Sequence, residues 1–136
     1  MIKKEKILVC GTRIKKNPEY KKLVFRELDR ELKLRKILGK KYNITFDITI
    51  IHGACENSAD VFADEWAKEN NIHVNRFSGS KGNYLTRNVE MVMELSDNDD
   101  LIAFWNGFSY GTAQTIAQAI MQHKQVTVID LSKELK

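Results

Sequence analysis

The chain has 136 residues, 43% hydrophobic and 29% charged, with a formal net charge of +4. This length predicts one domain, residues 1–136, with a real core, and no apolar run approaches the roughly 20 residues of a membrane-spanning helix. Two cysteines far apart, Cys10 and Cys55, exclude a disulfide framework or a metal-ligand set, so no metal or other cofactor is expected.

The charge is uneven. Residues 1–41 hold 15 of the 22 Lys and Arg and 5 of the 18 acids, and the remainder is acidic. A basic segment attracts nucleic acid or another polyanion, or it is the solvated face of a helix. No aromatic platform accompanies it. The charged N-terminus leads into Ile7–Cys10, too short for a signal-peptide core, so cytoplasmic residence is the default.

Lys6 to Cys10 reads as a short buried strand, in which Cys10 packs as a small hydrophobe. Gly11-Thr12-Arg13 follows directly, and doubly wound folds place ligand contacts at such strand ends. Arg13 is either an anion contact or a surface arginine. Asn17 and Pro18 mark a helix start. The helix runs to about Leu38, with Leu23, Leu28, Leu32, Ile37 and Leu38 among its apolar positions and its other faces in water. Gly39 is its expected stop.

Tyr42 to Ile51 is rich in strand formers and ends in His52-Gly53-Ala54-Cys55. Asn57 or Ser58 then caps a helix with Ala59, Phe62, Ala63, Trp66 and Ala67 inward. Asp60, Asp64 and Glu65 fall early in it, as solvated charges that suit the dipole or as ligand groups. His52 reads as a structural hydrogen-bonder, with no partner evident from spacing. His73 to Phe77 is a third strand and residues 78–83 a loop. The next helix carries Leu85, Val89, Val92 and Leu95 on one stripe. Arg87 and Asn88 lie in its first turn, where an arginine opposes the helix dipole. Residues 96–100 read as a solvated turn.

Leu101-Ile102-Ala103-Phe104 is a fourth strand, and Trp105-Asn106-Gly107-Phe108-Ser109-Tyr110-Gly111-Thr112 follows it. Ala113, Ile116, Ala117, Ile120 and Met121 then recur at helical spacing. A glycine-bearing turn into a helix either cradles a phosphate on the first-turn amides or simply makes a tight connection. Gln125 to Leu131 is a fifth strand and the rest a tail. Strands alternating with helices predict an α/β, Rossmann-like doubly wound fold: a mostly parallel five-stranded sheet with helices on both faces. Its strand ends gather Gly11, Thr12, Arg13, His52, Gly53, the loop to Arg87, and Asn106 to Thr112.

Val9-Cys10-Gly11-Thr12-Arg13, His52-Gly53-Ala54-Cys55 leading to Ala59-Asp60, Arg87-Asn88-Val89-Glu90-Met91, and Phe104-Trp105-Asn106-Gly107 with Ser109 and Gly111-Thr112 together resemble the SLOG superfamily. The branch resembled is that of small YspA-like proteins, many from phages and mobile elements, related to LOG phosphoribohydrolases and to DprA. The resemblance implies a domain binding a nucleotide or nucleotide-derived ligand. Gly107, Ser109, Gly111 and Thr112 would cradle phosphate, and Gly11, Thr12 and Arg13 would line the opposite side. Arg87 would hold the position of the LOG catalytic arginine, beside Asn88. Where LOG enzymes carry a catalytic glutamate this chain has Thr115, and Asn106 replaces an aspartate.

Three readings follow. The first is a binding protein that senses or sequesters a nucleotide-type ligand. The second is a nucleoside 5′-monophosphate N-glycosidase, and the third a nucleic-acid-binding module using residues 1–41. The apolar faces of the later helices suit a homo-oligomer, a dimer or larger.

Overall fold

The computed structural model describes residues 1–79 and 83–135. Five strands, β1 (Ile2–Gly11), β2 (Thr45–His52), β3 (His73–Arg76), β4 (Asp100–Trp105) and β5 (Gln125–Asp130), form one sheet. Their order is β3-β2-β1-β4-β5, and every pairing is parallel. Four helices connect them: α1 (Pro18–Tyr42), α2 (Ala59–Glu69), α3 (Tyr84–Met93) and α4 (Tyr110–Met121). A short α5 (Leu131–Glu134) follows β5. The Rossmann-like α/β fold is therefore present, and the sheet is wholly parallel.

The two-residue period of a strand builds both layers. Ile7 and Val9 of β1 join Tyr20, Leu23, Val24 and Leu28 of α1 and Ala59, Ala63 and Trp66 of α2. Leu8 and Cys10 join Met91 and Val92 of α3 and Ile116 and Ala119 of α4 on the opposite face. A continuous apolar run is what a strand covered on both sides requires. All strand carboxyl ends share one rim, and the connections leave in opposite directions from β1 and β4. Such a switch point opens a crevice between those two strands.

Asn17 caps α1 by accepting from the Glu19 amide, and Ser58 caps α2 by accepting from the Asp60 amide. Other expectations need correction. α1 passes through Gly39 and ends at Asn43, whose φ of 55° reverses the chain. Gly39 is needed instead for space, since a Cβ there would strike the Ile44 carbonyl oxygen. Tyr42 is therefore helical, and β2 begins at Thr45. β1 begins at Ile2 rather than Lys6, because its first residues are held by backbone pairing with β2. β3 stops at Arg76, and the Phe77 amide donates to the His52 carbonyl. The chain after β5 is helical from Leu131, not a tail. Residues 80–82 of the expected loop lie outside the described residues.

The burial of the helices differs too. Ile37 of α1 is exposed, whereas Arg35 is buried. In α3 the inward stripe is Asn88, Met91 and Val92, continued by Leu95, and Leu85 is exposed. In α4 it is Thr112, Thr115, Ile116 and Ala119, with Ala117, Ile120 and Met121 outward. The turn at 96–100 is not wholly solvated. Asp99 is buried and accepts from the amides of Lys6 and Ser96 at 2.8 and 2.7 Å.

Arg35 Nε donates to Glu5 Oε1 at 2.8 Å, and both side chains are 8% exposed. Further bonds reach Glu31 and Asp100. Removing Arg35 leaves the buried Glu5 carboxylate with the more distant, part-exposed Lys3 ammonium at 3.6 Å, so Arg35→Ala is expected to cost about 3 kcal/mol. Urea unfolding of the variant against wild type measures this.

Candidate functional site

A cleft of about 790 Å³ opens at the carboxyl rim. The end of β1 contributes Cys10 to Arg13, the β2–α2 connection contributes Cys55, and the first turn of α2 contributes Asp60. α3 adds Tyr84, Leu85, Arg87, Asn88 and Met91, and the β4–α4 segment adds Asn106, Phe108 to Thr112, and Thr115. Gly11, Thr12, Arg13, Arg87, Asn88, Asn106, Ser109, Gly111 and Thr112 thus face one space. Among the residues singled out in the sequence, His52, Gly53 and Gly107 do not line it.

The entry into α4 is built by Asn106. Its Oδ1 accepts from the amides of Phe108 and Ser109 at 2.8 and 3.0 Å, closing an Asx turn. Gly107 lies inside that turn at φ +90°, where a side chain is strained. The Asn106 amide donates to Thr12 Oγ1 at 3.2 Å, tying the turn to the end of β1. Trp105 Nε1 donates to the Ser109 carbonyl at 2.9 Å. Ser109 sits at the N-cap without a side-chain capping bond, its hydroxyl bonding instead to that of Thr112 at 3.2 Å. The amides of Tyr110, Gly111 and Thr112 have no partner within a helix and carry its positive end.

Arg87 forms the opposite wall and is only 9% exposed, which overturns the alternative of a frayed surface arginine. Its Nη1 donates to the Gly53 carbonyl at 2.8 Å and its Nη2 to Asn88 Oδ1 at 2.9 Å. Asn88 Nδ2 donates in turn to Gln114 Oε1 of α4 at 3.0 Å. The guanidinium lies flat against Gly53, where a Cβ would stand 2.8 Å from Cζ. Gly53 therefore serves the site from beneath, through this close approach. The Tyr84 ring lies 5.1 Å from Cζ, a cation–π distance. Cys55 Sγ lies 3.8 and 3.7 Å from the two terminal nitrogens. The same cysteine holds Arg13 above its ordinary range.

Two aspartates one helical turn apart behave oppositely. Asp60, 3% exposed, accepts from the Gly53 and Cys55 amides through Oδ2, at 3.1 and 3.2 Å. Burial pushes its carboxyl above the ordinary carboxylate value, against these bonds and the nearby Arg87. Asp64 is held far below that value, first by Arg76, whose Nε and Nη2 donate at 2.6 and 2.9 Å, and then by His52. Neither is a solvated helix-start charge. His52 Nδ1 accepts from the Ala54 amide at 2.9 Å, so Nε2 carries the proton that faces Asp64 at 2.6 Å. The carboxylate partner that spacing did not reveal is Asp64, and His52 is a buried strut.

A parallel sheet in this order, with a cleft at its switch point, defines a Rossmann-like α/β domain. The profile of the YspA, cpYpsA-related SLOG family matches residues 5–81, and the chain belongs to that family. No significant match was found among curated proteins or among solved structures. The matched residues run through β3 and include Gly11, Arg13, Gly53 and Asp60. Arg87 and the entry to α4 lie beyond them, so their part in the site rests on geometry.

Since the folded Asp64 value is depressed, its contribution is full above the ordinary carboxylate range and is lost as pH falls through the folded value. Asp64→Asn is therefore expected to destabilise at pH 7. The gap to wild type should narrow progressively below about pH 4. Thermal unfolding across a pH series checks it.

Proposed function

We propose that the cleft binds a nucleotide or nucleotide-derived ligand, with its phosphate on the first turn of α4. Gly111 carries this reading. A glycine in a helix costs up to about 1 kcal/mol relative to alanine. Gly111 has no positive φ, and a Cβ built on it meets nothing within 4 Å. Neither backbone nor packing asks for a glycine there. An anion approaching the amides of Tyr110, Gly111 and Thr112 does, because a methyl group would stand in its path. The hydroxyls of Ser109 and Thr112 flank the same spot, and Arg13 and Arg87 make the opposite wall positive. Tyr84, Phe108 and Tyr110, the last two 89% and 74% exposed, offer ring faces at the mouth for a base. Membership of the SLOG family supports a nucleotide-related ligand. Two free cysteines suit a reducing cytoplasm.

The glycosidase alternative has less support. The hydroxyl of Thr115, at the LOG glutamate position, donates to the Gly111 carbonyl within α4 at 3.1 Å. Among the described residues Asp60 is the one carboxylate lining the cleft. Turnover would draw on it, with Arg87 in the arginine role. The nucleic-acid reading loses ground because Lys21, Lys22, Arg26, Arg30 and Arg35 of α1 each pair with an acid. Self-association is best served by the outer faces of α3 and α4, where Met93, Ile120 and Met121 are exposed. A single monomeric species in sedimentation velocity would remove that part of the reading.

Calorimetry with mono-, di- and cyclic nucleotides, ADP-ribose and NAD tests the main proposal, with chromatography for released base. Binding without product supports it, and no binding across the set ends it. Gly111→Ala is expected to leave thermal stability unchanged or slightly raised while weakening the bound nucleotide roughly tenfold or more. Equal affinity in the variant would place the phosphate elsewhere.

A further inference from the structure

Asp60 carries a feature that its loop-building role does not use. Its Oδ2 takes both backbone donors, from Gly53 and Cys55. Its Oδ1 has no hydrogen-bond partner among the described residues, on a residue that is only 3% exposed. Among the described residues, no buried side-chain oxygen without a partner is fully sealed from solvent. The free oxygen must therefore reach open space, and the open space that Asp60 borders is the cleft. A carboxylate oxygen held in a low-dielectric wall with nothing donating to it is costly. The arrangement becomes favourable when a bound molecule supplies an O–H.

We infer that Asp60 Oδ1 is the acceptor for a sugar hydroxyl, so that the cleft selects a ribose phosphate over ligands whose sugar lacks hydroxyl groups. This rests on the phosphate reading of α4. The two subsites differ in kind: amides and hydroxyls at the start of α4 favour an anion, and Asp60 repels one and takes a neutral donor. Burial raises the Asp60 carboxyl, and the two amide bonds, His52 and Arg87 oppose that rise. Between the subsites lie Gly11 and Thr12 at the end of β1. A molecule that fills both must carry an anionic group and a hydroxyl on one short frame, as a nucleoside 5′-phosphate does. Inorganic phosphate satisfies one subsite alone.

The test is calorimetric titration of AMP, GMP, CMP and UMP, of their 2′,3′-dideoxy counterparts, and of inorganic phosphate. Wild type should prefer whichever ribonucleotide it binds over its dideoxy form by roughly 10- to 100-fold, the worth of a hydrogen bond to a charged acceptor. In Asp60→Asn the amide oxygen can keep both backbone donors while the amide nitrogen replaces the free acceptor. That variant should lose the preference and retain its affinity for inorganic phosphate. Equal binding of ribo and dideoxy forms by wild type overturns the inference, and this arm needs no variant to fold. So does a uniform loss of affinity for all probes in a folded Asp60→Asn, which would mark Asp60 as a builder of the loop alone. If no probe binds at all, the inference falls, while the phosphate reading is decided by the wider set of di- and cyclic nucleotides, ADP-ribose and NAD.

Discussion

One guanidinium laid against one glycine joins the parts of this site. Arg87 rises from α3, on one face of the sheet, and Gly53 sits just past the end of β2. The contact exists because Gly53 has no Cβ and its carbonyl points at Nη1. Through Asn88 the same arginine is coupled to Gln114 of α4. The α3 wall, the loop carrying Cys55 and Asp60, and the last long helix are thereby held in one relation. With both ends of its fork engaged, Arg87 offers a ligand its field and a rigid wall more than a free hand.

The β2–α2 connection shows how one short stretch makes two environments. Asp60 and Asp64 share α2 and face the same end of the sheet. Asp64 meets the Arg76 fork and the His52 proton, so its charge is stabilised and it serves as a strut. Asp60 meets two amides on one oxygen and, among the described residues, no hydrogen-bond donor on the other, so burial dominates. The strut holds β2, β3 and α2 together behind the cleft while the second aspartate borders it. Arg76, half in water, completes the pair from the edge strand.

The α4 entry is organised around a different economy. Asn106 supplies one oxygen to two amides, Gly107 takes the left-handed turn, and Thr12 receives the Asn106 amide from across the switch point. Each bond keeps the loop rigid without consuming the amides of Tyr110, Gly111 and Thr112. The start of a helix is thus presented to the crevice while the surrounding polar groups satisfy one another.

Much of this was legible without coordinates, wherever the signal is local. Strand runs such as Ile7–Cys10, the caps at Asn17 and at Asn57 or Ser58, and the glycine turn before α4 depend on neighbours in sequence. The alternation of strand and helix then forces the parallel sheet and gathers the strand ends at one rim. The faces of α3 and α4 were not legible, because Asn88, Thr112 and Thr115 are buried by contacts with groups far along the chain, and hydrophobicity does not mark them. Nor could spacing separate Asp60 from Asp64, or join Arg87 to Gly53 across 34 positions. Only the packing of distant segments sets burial, partner and field, and those quantities decide what a polar side chain does.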